Sequence, residues 1–118
     1  MGRHNFKKMI IWQKAMELCD DVFKLTANFP SFEVYNLTSQ INRCVVSVPS
    51  NIAEGSSRTS LKDFNRFLEM SLGSLYELQT QLILAKYKNY ITNEVLTNLE
   101  IKIEELQKMI SGFQNSLK

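Results

Sequence analysis

The sequence predicts an all-α protein whose four amphipathic helices form an antiparallel up-down-up-down bundle. Three observations predict this fold. Apolar residues recur at spacings of three and four along most of the chain, which is the period of an α-helix. The four glycines and two prolines stand singly, which disfavours a turn-rich β fold. Short polar segments separate the helical patterns, and short connections make neighbouring helices antiparallel.

Length and composition describe an ordinary globular chain. Its 118 residues fit a single domain, 1–118, that is long enough to bury a core. The hydrophobic fraction is 44% and the charged fraction 22%. The net charge of +2 is weak evidence for an anionic partner. The sequence shows no secretory leader and no apolar run of about 18 residues, so we expect a cytoplasmic protein without a membrane partner.

The first predicted helix covers residues 9–28 and ends at Phe29-Pro30, because the residue before proline is pushed out of the α region. Its main apolar stripe is Trp12, Ala15 and Met16, Cys19, Val22 and Phe23, and Thr26. A second set, spaced by seven, lies beside this stripe and consists of Ile11, Leu18 and Leu25. The apolar face of this helix is therefore broad.

The second predicted helix covers residues 33–55 and contains Pro49. Its stripe keeps one phase through the proline and consists of Leu37, Ile41, Cys44, Val48, Ile52 and Gly55. We therefore predict one helix kinked at Pro49, with Gly55 as a left-handed terminator. The alternative is a new helix beginning at Pro49, a favoured site for proline, but it would leave Val48 as a poor N-cap.

The third and fourth predicted helices cover residues 61–88 and 93–116. Ser60 is a natural N-cap for the third, with Asp63 placed as in a capping box, and Thr92 or Asn93 caps the fourth. Both helices carry apolar stripes that alternate steps of three and four. This spacing fits left-handed packing at roughly 20°.

The first and third helices offer more apolar surface than one core needs. The surplus residues are Ile11, Leu18, Leu25, Leu72, Tyr76, Ile83 and Tyr87. Extended apolar patches on soluble proteins usually mark interfaces, and tyrosine suits interface cores. We therefore predict a homo-oligomer. The alternative is a scatter of surface apolar residues, which is common.

The sequence predicts neither catalysis nor a cofactor. A di-iron centre in a helix bundle requires Glu-x-x-His on two helices, and His4 is the single histidine. No Cys/His zinc cluster and no glycine-rich phosphate loop is present. Cys19 and Cys44 lie in apolar patterns and are expected to be buried, reduced thiols rather than a disulfide or a reactive pair.

Polar residues around the proline form a structural motif. Asn51 and Glu54 stand within one turn of a buried stripe, where they can satisfy the carbonyl freed by Pro49, cap helix ends, or pair with Arg43 or a residue on the third helix. Arg43 and Glu77 are candidate partners for each other across two helices. The alternative reading is that Asn51 and Glu54 hold a ligand.

Five basic residues are candidates for nucleic-acid binding. They are Lys7, Lys8, Arg58, Lys62 and Arg66. Lys62 and Arg66 are four residues apart on one helix face, and Arg58 precedes them in a loop. Contacts from such residues to phosphates would be salt-dependent. The alternative is an ordinary solvated face.

Five short motifs stand in order along the chain: Trp12-Gln13-Lys14-Ala15, Phe29-Pro30, Glu33-x-Tyr35-x-Leu37-x-x-Gln40-x-x-Arg43, Pro49-x-Asn51-Ile52-Ala53-Glu54-Gly55 and Gly73-Ser74-x-x-Glu77-Leu78. Together they resemble the "four helix bundle protein" family, also called S23 ribosomal-like proteins, across residues 9–115. Members include proteins encoded in intervening sequences of bacterial 23S rRNA genes. The resemblance implies a four-helix bundle that assembles as a homopentamer.

The chain is also similar to the accessory variability determinant of diversity-generating retroelements. That similarity implies a basic pentamer that binds nucleic acid and a reverse transcriptase, but this chain departs from it in being nearly neutral. We therefore expect a non-enzymatic oligomeric interaction module that binds structured RNA or DNA through a basic surface. The alternative is a protein-binding adaptor without nucleic-acid contact.

Overall fold

The computed structural model describes residues 3–117, and no strand occurs among them. Four α-helices make up the fold: α1 (Ile10–Thr26), α2 (Leu37–Ser56), α3 (Leu61–Tyr87) and α4 (Asn93–Ser116). Two single 3-10 turns, Phe6–Lys8 and Ser31–Glu33, precede α1 and α2. The all-α fold predicted from the sequence is confirmed.

Local capping explains where α3 and α4 begin. The Ser60 side chain accepts a hydrogen bond from the backbone N–H of Asp63, and that of Thr92 accepts one from Val95. The second helix begins at Leu37, four residues later than its pattern predicted, since Ser31–Glu33 forms a separate 3-10 turn.

Helix α2 continues through Pro49 without a break, so the alternative of a new helix beginning there is wrong. The proline lacks the N–H that would bond the carbonyl of Val45, four residues earlier. The Cys19 thiol on α1 donates to this carbonyl instead, with sulfur and oxygen 3.3 Å apart. A neighbouring helix thus satisfies the group that Pro49 leaves free. The kink itself stays a prediction.

Each helix packs against two others in a closed ring, and the α2–α3 interface is the most extensive. Thr26 bonds Asn42 while Cys19, two turns earlier on α1, bonds Val45 further along α2, as antiparallel helices require. The largest fully buried side chains form one core: Phe64, Ile41, Ile52, Leu68, Leu75, Leu78, Leu82, Ile103, Ile110, Val22, Val45 and Val48.

Gly55 permits the close approach of α2 and α3. It lies inside α2 and its φ is negative, so the prediction of a left-handed terminator is wrong. A Cβ atom at this position would lie 2.8 Å from the Cβ of Phe67 and 3.3 Å from the carbonyl oxygen of Phe64. Only glycine fits against the α3 backbone here.

The buried face of α1 is rotated from the predicted stripe. Ile11 and Leu18, predicted at an oligomer interface, are 4% and 3% exposed and belong to the core. Met16 and Phe23, assigned to the core stripe, are 45% and 42% exposed. Because α1 contacts both α2 and α4, its buried arc is wider than a single stripe and takes in the seven-residue set.

Of the other residues predicted at an oligomer interface, three are only partly buried against the core: Leu25, Leu72 and Ile83. Tyr76 and Tyr87 remain largely exposed, at 61% and 76%. They lie eleven residues apart on α3, which is close to three full turns, and so share one face. The apolar surplus is therefore smaller than predicted and centres on these two tyrosines.

Candidate nucleic-acid interface

The N-terminal segment lies across the connection between α2 and α3. Arg3 Nε donates to the carbonyl of Ser57 at 2.7 Å, and the backbone N–H of His4 donates to that of Ser56 at 3.2 Å. The His4 ring packs edge-on against Phe64, with centroids 5.1 Å apart. These contacts hold Arg3 at the end of the bundle where α1 and α3 begin.

Lys7 and Lys8 lie at the same end, in the 3-10 turn before α1. Asn5 caps this turn by accepting from the N–H of Lys7 at 3.2 Å, and Gln13 of α1 donates to the carbonyl of Lys7 at 2.8 Å. The turn also packs against α2. Both lysines are exposed, so their charges face solvent.

Arg58 and Arg66 both lie against the ring of Phe67. The central guanidinium carbons are 4.7 Å and 4.6 Å from the ring centroid, respectively, within the range of a cation–π interaction. Phe67 is buried, and its backbone position in α3 is fixed against Gly55. The ring therefore brings together two cations from different segments of the chain.

Two carboxylates partly offset these charges. Arg58 Nη2 lies 3.0 Å from Glu54, and Arg66 Nε lies 3.7 Å from Asp63. Lys62 is exposed and has no ion pair among the described residues.

We define the basic end as the six cations Arg3, Lys7, Lys8, Arg58, Lys62 and Arg66. Segments 3–8 and 54–66 contain these six cations and two acids, an excess of four positive charges, although the whole chain carries only +2. All five nucleic-acid candidates predicted from the sequence lie at this end. Arg3 was not among them, and the structure adds it through its hydrogen bond to the Ser57 carbonyl.

Asn51 and Glu54 have local partners on the same helix or just after it, rather than the predicted ones. Asn51 Nδ2 donates to the carbonyl of Ser47 at 2.8 Å, so it does not serve the Val45 carbonyl freed by Pro49. Glu54 is exposed and pairs with Arg58 at the basic end. Its role is therefore to position a guanidinium rather than to fill a buried site.

Arg43 and Glu77 line one groove of about 390 Å³ between α2 and α3, but no ion pair joins them in the described part of the chain. The prediction that they pair is wrong. Glu77 instead accepts a hydrogen bond from Gln81 Nε2 at 3.2 Å, one turn along α3. The Oε1 atom of Gln81 is buried and has no hydrogen-bond partner.

Both cysteines are buried free thiols that donate to backbone carbonyls of neighbouring helices. Burial raises the pKa of Cys19 to about 11. Burial, together with the negative charge of Glu77, raises the pKa of Cys44 to about 12. The thiols therefore stay protonated at neutral pH, so they remain hydrogen-bond donors and are poor nucleophiles.

At the opposite end of the bundle, the buried Glu33 links the start of α2 to the connection between α3 and α4. Its carboxylate accepts a short hydrogen bond from Tyr90 and a longer one, 3.4 Å, from the N–H of Leu37 at the start of α2. Lys88 lies 3.8 Å away. The Tyr90 hydrogen bond is the main reason that the pKa of Glu33 is lowered and that of Tyr90 raised to about 12. The sequence predicts Glu33 only as the first residue of the second helix and does not predict this contact.

Within residues 3–117, no group of three or more His, Cys, Asp or Glu side chains is arranged to hold a metal ion. The same part of the chain contains no helix long and apolar enough to cross a membrane.

Comparison with known proteins assigns the chain to a family. A family model described as "23S rRNA-intervening sequence protein" matches residues 7–112. The chain belongs to this family. Both segments of the basic end overlap the matched range, with Arg3 just before it. A search of the curated proteins finds no match to the chain.

A solved structure confirms the fold of this member of the 23S rRNA-intervening sequence protein family. It is a protein of unknown function from the S23 ribosomal protein family of Bacteroides thetaiotaomicron VPI-5482. The two chains superpose with a TM-score of 0.79 at 23% sequence identity, covering 89% of this chain and 98% of the other. The similarity to retroelement accessory proteins stays a prediction.

Proposed function

We propose that this chain is a non-enzymatic, oligomeric interaction module whose basic end binds structured RNA or DNA. One observation carries the proposal: the fold gathers six cations from the N-terminal segment, the α2–α3 connection and α3 at one end of the bundle. Lysine and arginine that neutralise phosphates supply most of the affinity in sequence-independent binding. The family is named after sequences that interrupt 23S rRNA, which makes RNA the first probe.

Assembly would multiply this modest charge. A single chain carries a net charge of +2, but several basic ends on one oligomer act on the same nucleic acid and raise the effective concentration of every contact. The exposed face of Tyr76 and Tyr87 supports self-association, and the resemblance described above favours five copies. We therefore propose a homopentamer as the binding species.

Charge reversal of two lysines tests the proposal. Lys7→Glu with Lys62→Glu takes the net charge from +2 to −2 and removes two exposed cations of the basic end. Lys24→Glu with Lys86→Glu makes the same charge change in the last turns of α1 and α3, at the opposite end. Gel shift or fluorescence anisotropy with a hairpin RNA and a DNA duplex compares the two variants at one low salt concentration.

We expect the basic-end variant to lose binding and the opposite-end variant to retain most of it. Equal loss in both would mean that net charge rather than the basic end attracts the nucleic acid. If the wild-type chain bound neither probe at low salt, the proposal would be rejected in favour of an adaptor that binds only protein.

A further inference from the structure

Two arginines of the basic end lie on one aromatic ring, that of Phe67. Arg58 comes from the connection after α2, and Arg66 comes from the second turn of α3. Like charges repel, so two guanidinium groups against one ring cost free energy unless something offsets their repulsion. The ring face attracts cations, and Glu54 and Asp63 lie beside the pair.

Most N–H groups of this pair remain available to a ligand. Arg58 uses Nη2 for a hydrogen bond to Glu54, and its Nε is buried without an acceptor, so a ligand can reach only the outer Nη groups. The Arg66 side chain makes no hydrogen bond within residues 3–117, since its 3.7 Å contact to Asp63 exceeds hydrogen-bond distance. The side chains are 39% and 59% exposed, so each can be reached by an anion from solvent.

We propose that Arg58 and Arg66, held on Phe67, form a fork that binds the phosphodiester backbone of a nucleic-acid strand. Arginine presents planar, bidentate donors that match phosphate oxygens, which the ammonium of lysine does not. Stacking on the ring restricts both side chains before binding, so less conformational entropy is lost when phosphate is bound. A phosphate also relieves the repulsion between the two cations.

This inference rests on the proposed function, but it makes a separate claim. General attraction by the basic end depends on charge, which lysine preserves. The fork depends on guanidinium geometry and stacking, which lysine does not reproduce. Replacing both arginines by lysine therefore separates the fork from the charge.

The test measures the affinity of Arg58→Lys with Arg66→Lys for a hairpin RNA with hydroxyl ends, so that every phosphate is a backbone phosphodiester. We expect a loss of affinity of about tenfold or more at every salt concentration, since two charge-assisted bidentate contacts are weakened. The salt dependence should stay nearly unchanged because the charges are kept. Lys62→Arg serves as the matched control and should bind at least as well as the wild type.

A second variant reports on the ring. Phe67→Leu keeps an apolar side chain but removes the cation–π surface, and it should lower affinity in the same way once circular dichroism shows that it is folded. If the double lysine variant bound like the wild type at all salt concentrations, the fork would be rejected while the proposed function stood. If the wild type failed to bind the hairpin, both would be rejected.

Discussion

The Cys19 thiol donates to the Val45 carbonyl across 3.3 Å, and this carbonyl is the one that Pro49 leaves without its helical donor. A sulfhydryl on α1 therefore supports a proline in the middle of α2. Its pKa of about 11 keeps the donor proton in place at neutral pH. Thiol hydrogen bonds are weak individually, but a buried carbonyl without any donor is costly.

The contact predicts a coupling between Cys19 and Pro49. Cys19→Ala should destabilise the fold by roughly 1–3 kcal/mol, because it leaves the Val45 carbonyl buried without a donor. In a Pro49→Ala background the new N–H can bond this carbonyl, so the same substitution should cost less by roughly 0.5–1 kcal/mol. Urea unfolding of the four members of a double-mutant cycle measures the coupling.

Cys44→Ala is the control for this cycle, because the Cys44 thiol donates to Ser74 rather than to Val45. Its cost should be the same with and without Pro49. A cycle in which Cys19 and Pro49 were additive would contradict the assignment of the thiol as the replacement donor.

Gly55 predicts a second stability difference. Gly55→Ala should destabilise the fold by roughly 1–3 kcal/mol, because its Cβ would lie 2.8 Å from the Cβ of Phe67 and the α3 backbone must move. Gly73→Ala and Gly112→Ala meet nothing within 4 Å and lie inside helices. Each should stabilise by roughly 0.5–1 kcal/mol. Thermal unfolding followed by circular dichroism compares the three, and a neutral Gly55→Ala would refute the close approach.

The Glu33–Tyr90 contact predicts a pH-dependent stability. The folded state lowers the pKa of Glu33 from 4.5, so the contribution of its carboxylate is complete above that pH and declines as the pH falls through the folded value. The folded state raises the pKa of Tyr90 from 10.0 to about 12, so its contribution is complete below pH 10 and is lost as the pH rises through about 12.

Tyr90→Phe should therefore lower the midpoint of thermal unfolding most between pH 5 and pH 9, and by less near pH 3. Tyr35→Phe is the matched control, since Tyr35 is 91% exposed and makes no side-chain hydrogen bond within the described residues. A difference between Tyr90→Phe and the wild type that did not shrink in acid would show that Glu33 is not the relevant acceptor.

The exposed Tyr76 and Tyr87 of α3 predict that the protein self-associates. Tyr76→Lys with Tyr87→Lys should convert the proposed pentamer into monomers, because charged residues are depleted from interface cores. Phe32→Lys with Tyr35→Lys is the control, since these aromatics are 70% and 91% exposed outside α3. Multi-angle light scattering gives the mass. A wild type with the mass of one chain, 13.7 kDa, at micromolar concentration would reject self-association.

Periodicity was sufficient to predict the helices, but it did not predict their rotation. The steps of three and four located all four helices, and the phase through Pro49 favoured a single α2. On α1 the set containing Ile11 and Leu18 faces the core together with Ala15, Cys19 and Val22 of the predicted stripe, because α1 contacts two helices. The width of the buried face depends on which helices pack against α1, and the sequence of α1 alone does not give their positions.

The sequence predicts which basic residues form the candidate site, but it predicts only part of their arrangement in three dimensions. The positions of Lys62 and Arg66 on one helix face followed from their spacing of four. The contact between Arg58 and the Phe67 ring depends on the path of the α2–α3 connection. Gly55 sets this path because it lets α2 pack closely against α3. The sequence predicts a terminator at Gly55 because glycine is common after helices, whereas its contact with α3 depends on the three-dimensional packing of α2 and α3.

The most direct test of the central claim is a salt titration of nucleic-acid binding by the wild-type chain. Fluorescence anisotropy with a hairpin RNA and with a DNA duplex, over a range of NaCl concentrations, gives the logarithm of affinity against that of salt. We expect binding at low salt and a straight line with a slope of roughly −3 or steeper, as for several neutralised phosphates. No binding at low salt, or an affinity that salt does not change, would contradict it.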